Sequence, residues 1–129
     1  MQEQDPLAVV NDWVAAANAQ DAERLVELSE PNIEIVGPRG SGFGHQLLRD
    51  WLARAGLELE TLRTFARGDL VVLEQRGVWH SQDSGKVTGD KVLASFFQAK
   101  GGRVVKFARF DSLDDAFAAS GLGPSDELR

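Results

Sequence analysis

Arg109 and Asp111 are the residues whose types and spacing best suit chemistry. They close the run Arg103-Val104-Val105-Lys106-Phe107-Ala108-Arg109-Phe110-Asp111, which reads as a strand. Side chains alternate along a strand, so Phe107, Arg109 and Asp111 share one face, the charged neighbours about 6.6 Å apart. Facing an interior, Asp111 would serve as general base and Arg109 as a clamp for an oxyanion or carboxylate. Such a placement needs compensation, because a buried charge without its partner is strongly destabilising. Facing water, the two read as an ion pair at a sheet end, worth about 0–1 kcal/mol. His45 is the third group suited to proton transfer near neutral pH. It follows the glycine-rich segment Gly37-Pro38-Arg39-Gly40-Ser41-Gly42-Phe43-Gly44, and would act if that segment closes over a pocket; otherwise it tethers the loop.

The rest of the inventory narrows the chemistry. The chain has no cysteine, which excludes disulfides and thiolate catalysis, and only two histidines, so neither a metal site nor a cofactor is expected. Tyrosine is absent too. Lys and Arg number 14 against 20 Asp and Glu, a net charge of −6, and this opposes attraction to phosphate backbones or anionic lipid. No apolar run approaches the roughly 20 residues of a membrane span, and the opening Met1-Gln2-Glu3-Gln4-Asp5 is polar and acidic. A cytoplasmic protein with neither nucleic-acid nor membrane partner is expected. The 129 residues suit one domain, 1–129.

Positioning those groups falls to a legible series of elements. Asp5-Pro6 caps and starts a helix, in which Val9, Val10, Trp13, Val14 and Ala17 recur on one stripe. Asp21 caps a second short helix, Ala22 to Leu28, which stops before Pro31. A short strand, Ile33 to Val36, precedes the glycine segment, read as a flexible rim loop: it lacks the third glycine of a dinucleotide fingerprint and the Lys-Ser/Thr of a P-loop. His45 to Ala55 reads as a third helix, with Leu47, Leu48, Trp51 and Leu52 on one side and Arg49, Asp50 and Arg54 outside.

From Leu57 the period changes to two. Leu57, Leu59, Thr61, Arg63 and Phe65 share one face of the first long strand. In the next, Leu70 to Ser81, a face of Val71, Leu73, Gln75, Gly77 and Trp79 looks like a cavity wall, and Gln75 there needs hydrogen-bond partners from Arg109 or a ligand. Gln82-Asp83-Ser84-Gly85-Lys86 forms a hairpin loop, and Val87 to Ala99 returns with Leu93, Ser95 and Phe97 on one side. After the last strand, Ser112-Leu113-Asp114-Asp115 reads as a capping box for a short terminal helix ended by Gly121. The fold class is α+β: three N-terminal helices on a strongly curved, mostly antiparallel sheet, with a short C-terminal helix.

Three stretches carry a resemblance to a known family: 9–21 (Val9-Val10-Asn11-Asp12-Trp13 onward to Asp21), Pro31-Asn32-Ile33-Glu34-Ile35-Val36-Gly37-Pro38, and Arg109-Phe110-Asp111 with Ala118-Ala119-Ser120-Gly121-Leu122. In these the chain resembles the NTF2-like superfamily, and within it the SnoaL-like proteins, from about Leu7 to Leu122. The resemblance implies a cone with a pocket between helices and concave sheet, and a homodimer through the outer sheet face. Members include isomerases, dehydratases, polyketide cyclases, epoxide hydrolases and binding modules, so fold alone leaves function open. The ketosteroid isomerase positions of tyrosine and the two aspartates fall here on Trp13, Gly37 and near Leu93, where none of those groups survives. Arg109-Phe110-Asp111 matches the Arg-x-Asp spacing of the epoxide hydrolases.

Two readings follow, with a third behind them. The first is a pocket protein of unassigned chemistry that binds a small apolar or amphipathic molecule, with Trp13, Trp51, Leu73, Gln75, Trp79, Leu93, Phe97 and Phe107 lining the cavity and Arg109 anchoring an anionic or carbonyl end. The second is a cofactor-independent isomerase, lyase or epoxide-hydrolase-type enzyme using Asp111, Arg109 or His45. The third is a dimerisation module with a filled interior.

Overall fold

A computed structural model describes residues 5–37, 40–81 and 83–128. Pro38, Arg39 and Gln82, which the sequence places in the glycine loop and the hairpin loop, and the acidic start 1–4 lie outside the described residues. Among the described residues, three of the four α-helix starts carry a side-chain cap. In α1 (Pro6–Asn18) the Leu7 N–H donates to Asp5 Oδ1 at 3.2 Å and Pro6 takes the first turn. α2 (Ala22–Glu27) begins with Arg24 N–H donating to Asp21 Oδ1 at 3.1 Å. α3 (His45–Ala55) ends at Gly56 in the left-handed region, φ 51°. α4 (Leu113–Ser120) starts where Asp115 N–H donates to Ser112 Oγ at 3.1 Å, and its acidic first turn suits the helix dipole.

The strands are β1 (Ser29–Gly37), β2 (Gly40–Phe43), β3 (Leu57–Arg67), β4 (Leu70–His80), β5 (Val87–Lys100), β6 (Arg103–Phe110) and β7 (Glu127–Leu128). Among the described residues they form one seven-stranded sheet in the order β2-β1-β6-β5-β4-β3-β7, in which β1 and β6 run parallel and every other pair antiparallel. The glycine segment is therefore not simply a loop. β1 and β2 pair as a hairpin from Glu34–Phe43 to Gly37–Gly40, so backbone hydrogen bonds hold most of it as sheet edge.

Two apolar layers flank the sheet. On one face Val9, Val10, Trp13 and Val14 of α1, with Leu48 and Leu52 of α3, pack on Ile33, Leu73, Phe97 and Phe107. On the other, α4 covers Phe65, Val72, Ala94, Phe96 and Ala108. Phe65 corrects the sequence expectation. A register shift between Thr61 and Arg63 inserts one residue, so Thr61 pairs with Gln75 while Phe65 pairs with Val72. Such a bulge inverts the alternation beyond it. Phe65 thus leaves the face of Leu57 and Leu59, and its ring meets Phe117 of α4 edge-on at 4.9 Å. Among the described residues no helix is long and apolar enough to cross a membrane.

Candidate functional site

The face covered by α1 and α3 has an aromatic centre. Trp13 lies 4.9 Å from Phe107, 5.3 Å from Phe97 and 5.9 Å from Trp51, centroid to centroid, the two indoles only 26° from parallel. Phe97 and Phe107 touch at 5.1 Å, and Trp51 meets Phe107 at 5.5 Å. Of the eight residues expected to line a cavity, Trp13, Leu73, Gln75, Leu93, Phe97 and Phe107 are buried, and they fill the interior with one another. Trp51 and Trp79 are half-buried, and through them the interior reaches the surface.

The buried polar groups there are satisfied from within. Ser95 Oγ donates to Gln75 Oε1 at 2.8 Å, and Gln75 Nε2 donates to Thr61 Oγ1 at 3.2 Å. Gln75 therefore takes its partners from the neighbouring strands, Thr61 facing it on β3, and not from Arg109. Trp13 Nε1 donates to Ser29 Oγ at 2.9 Å, and that hydroxyl donates to the Leu25 carbonyl at 2.7 Å. His45 joins the same knot: its Nε2 donates to the Ser29 carbonyl at 2.9 Å, since a carbonyl can only accept. The contact ties the start of α3 to the start of β1 and gives His45 a structural partner.

Arg109 and Asp111 part company. Asp111 lies one residue beyond β6, its side chain 88% exposed, with Lys91 Nζ 3.0 Å from Oδ1. A carboxylate so placed is solvated and paired with a lysine. Arg109 is half-buried. Its guanidinium carbon stands 5.6 Å from the centre of the Trp79 ring, a cation–π contact, and among the described residues it meets no carboxylate. The Trp79 ring has room because Gly77 and Gly89 lie beneath it: a Cβ at Gly77 would be 3.2 Å from Trp79 Cη2, and one at Gly89 would be 3.3 Å from Cε3.

Two openings of similar size flank α3. One, about 430 Å³, is a slot between α3 and the β1–β2 hairpin, walled by Ile35, Gly37, Gly40 and Gly42 on one side and Leu47, Trp51 and Arg54 on the other. The second, about 400 Å³, lies between the ends of α1 and α3 and includes Asn18, Gly56, Glu58 and His80. Asn18 is tied down there, exchanging two 2.8 Å hydrogen bonds with the Leu59 backbone. Arg54 is exposed, as expected with Arg49 and Asp50, and it also borders the slot with Trp51. The i, i+3 spacing on α3 was the available signal. Among the described residues no group of three or more His, Asp or Glu side chains is close enough to hold a metal.

Comparison with known proteins agrees with this architecture. Several solved structures superpose over most of the chain. An NTF2-like protein of unknown function from Cytophaga hutchinsonii has a TM-score of 0.72 at 15% identity, covering 91% of this chain and 99% of that one. A candidate polyketide cyclase from Xanthomonas campestris gives 0.70 at 18%, covering 88% and 94%. A protein with a ketosteroid isomerase-like fold from Catenulispora acidiphila, in complex with trimethylamine, gives 0.68 at 20%, covering 89% and 93%. At such identities the likeness establishes the α+β NTF2-like fold. Among curated proteins no relative matches. The family model of the SnoaL-like domain matches residues 10–107, from within the first helix into the last long strand, and the chain belongs to that family.

Proposed function

We propose that this protein binds a small, largely apolar molecule whose anionic or carbonyl end is taken by Arg109, with Trp79 as a shelf beside it. The observation that carries the proposal is that no described carboxylate pairs with Arg109. In a chain with six more acidic than basic groups, a half-buried guanidinium resting on an indole and touching no described carboxylate is a charge held available for another anion. Arginine suits this role because its planar fork of donors matches carboxylates and other flat acceptors. The trimethylamine bound by the Catenulispora protein lends support for a small-molecule role on this fold. Catalysis draws less support, since Asp111 is engaged by Lys91 and His45 by Ser29. For the expected homodimer we propose the outer-face region beyond α4, where Val92 is 50% exposed beside Arg76. Sedimentation of the protein at rising concentration tests that pairing.

The binding proposal is tested with two fluorescent probes of the same shape, anilinonaphthalene sulfonate and its uncharged parent N-phenylnaphthylamine. Wild type should bind the sulfonate more tightly. Arg109→Gln should weaken the sulfonate by about 10-fold or more, the worth of one charge-assisted hydrogen bond, and leave the parent within about 2-fold. Equal loss of both probes, or of neither, removes Arg109 as the anion contact.

A further inference from the structure

We infer that residues 123–128 form a releasable strap over the edge of β3, and that this edge, once free, pairs with the β3 edge of a second copy of the chain. The inference stands apart from the ligand reading and concerns a different surface from the outer-face pairing. One side of β3 is paired with β4 along its length. The other side is protected at separate points. Near the start of the strand, the Asn18 carboxamide takes both the N–H and the carbonyl of Leu59, as a neighbouring strand would. In the middle, the irregularity between Thr61 and Arg63 breaks the regular ladder. Toward its end β7 pairs with it, but only as Thr64–Leu128 and Phe65–Glu127. Open strand edges recruit other strands, and bulges, charges and covering segments are the means of preventing it.

The strap is held in a way that lets it leave. Leu122 is buried and anchors the chain; beyond it the turn Pro124–Asp126 contains no buried residue and Leu128 is exposed. Charge supplies the grip. Arg63 donates from Nε and Nη2 to the two carboxylate oxygens of Glu127 at 2.9 Å each. Arg67 Nη2 donates to the Gly121 carbonyl at 2.9 Å, and its Nη1 stands 3.5 Å from Asp126 Oδ2. Both arginines are exposed, and ion pairs in such places are weak and screened by salt.

The order of charges names the occupant. Glu58 and Glu60 are exposed and alternate with the buried Leu57 and Leu59, so they lie on the opposite face. Past the bulge, Arg63 and Arg67 share that face with Phe65, and the Arg63 guanidinium carbon stands 5.1 Å from the centre of the Phe65 ring. This face of β3 therefore runs from acidic to basic. Two such strands set antiparallel about a two-fold axis bring the acidic end of each toward the arginines of the other. Asp126 and Glu127 already meet those arginines, so the strap offers within one chain the charges that a second copy would bring.

The test uses the full chain carrying Asp126→Arg and Glu127→Arg together, which turns both attractions into repulsions. Amide exchange over Thr64–Phe65 and Glu127–Leu128 in dilute protein reads release of the strap, and sedimentation at rising concentration reads association. The variant should exchange about 10-fold faster there and reach about twice the wild-type mass at equal concentration. Adding Glu58→Gln and Glu60→Gln should weaken that association by about 5-fold or more, because the arginines of each copy then face no carboxylate. Should the charge-reversed variant not fold, Glu127→Gln neutralises the two-bonded pair with both arginines kept, and should move exchange and mass in the same directions by smaller amounts. Unchanged exchange in a folded variant would show that the arginines do not hold the strap. An unchanged mass with the strap open, or association indifferent to Glu58 and Glu60, would equally overturn the inference.

Discussion

Lys91 holds Asp111 at 3.0 Å, Nζ to Oδ1, and that contact separates Asp111 from the arginine two residues before it. Both partners are solvated, Lys91 at 53% and Asp111 at 88% side-chain exposure, so the pair contributes little to stability. Its consequence is for the site: Arg109 is left on Trp79 with its charge uncompensated by any described carboxylate.

Asp111→Asn should therefore be quiet. We expect a change in unfolding free energy within about 0.5 kcal/mol and probe binding within about 2-fold of wild type, measured by urea titration and fluorescence. A drop of ten-fold or more in binding would return Asp111 to the ligand's surroundings.

The Thr61–Gln75–Ser95 chain behaves differently because Gln75 and Ser95 are wholly buried. Ser95→Ala deletes the hydroxyl that donates to Gln75 Oε1 and leaves a buried acceptor without a donor, costing about 1–3 kcal/mol. Gln75→Leu together with Ser95→Ala removes both ends of that bond, so the double variant should lose less than the sum of the single ones. Strict additivity in urea denaturation would mean that the 2.8 Å contact carries no coupling.

How far the sequence foretold these relationships depends on what each element needed. α3 was legible to the residue, His45 to Ala55, because a glycine stands at both ends and Leu48 and Leu52 repeat at helical spacing. Ser112 and Asp115 likewise announced α4 through local cap chemistry. Phe65 was misplaced because a bulge is a pairing event between strands, and nothing in Thr61-Leu62-Arg63 alone says which residue will be skipped. The β1–β2 hairpin was read as loop because glycine favours turns in general, and only the partner strand turns those residues into an edge. For the site, the types were visible and the contacts were not. Arg109 and Asp111 do sit two apart, but Lys91 on the adjacent strand decides where the carboxylate goes.

On the outer face, Arg76 Nε donates to Asp90 Oδ1 at 2.9 Å, and a second bond runs from Nη2 to Oδ2. This hydrogen bonding is the main cause that lowers the Asp90 carboxyl below its ordinary 3.8. A carboxyl depressed on folding adds stability that is complete above its unfolded value and is lost as pH falls through its folded value. The loss should thus fall below about pH 4 and be small, since both groups are largely solvated. Arg76→Gln should move the Asp90 midpoint back upward in a carboxyl NMR titration; an unmoved midpoint would mean that Arg76 is not the cause.

Gly56 and Gly121 allow a last, internally controlled prediction. Both end helices with left-handed backbone, φ 51° and φ 80°, so alanine at either position bears the left-handed penalty of about 1–2 kcal/mol. They differ in surroundings. A Cβ at Gly121 meets nothing within 4 Å, whereas one at Gly56 would lie 2.5 Å from the His80 carbonyl oxygen. That carbonyl cannot simply swing aside, because His80 N–H donates to the Gly56 carbonyl at 2.8 Å and His80 belongs to β4. Relief must come from parting the end of α3 from the end of β4, which also reshapes the opening that Gly56 and His80 share. Gly56→Ala should therefore cost about 1–3 kcal/mol more than Gly121→Ala in urea unfolding. Equal losses would show that α3 and β4 separate at no cost, and that their close approach at Gly56 contributes nothing to the fold.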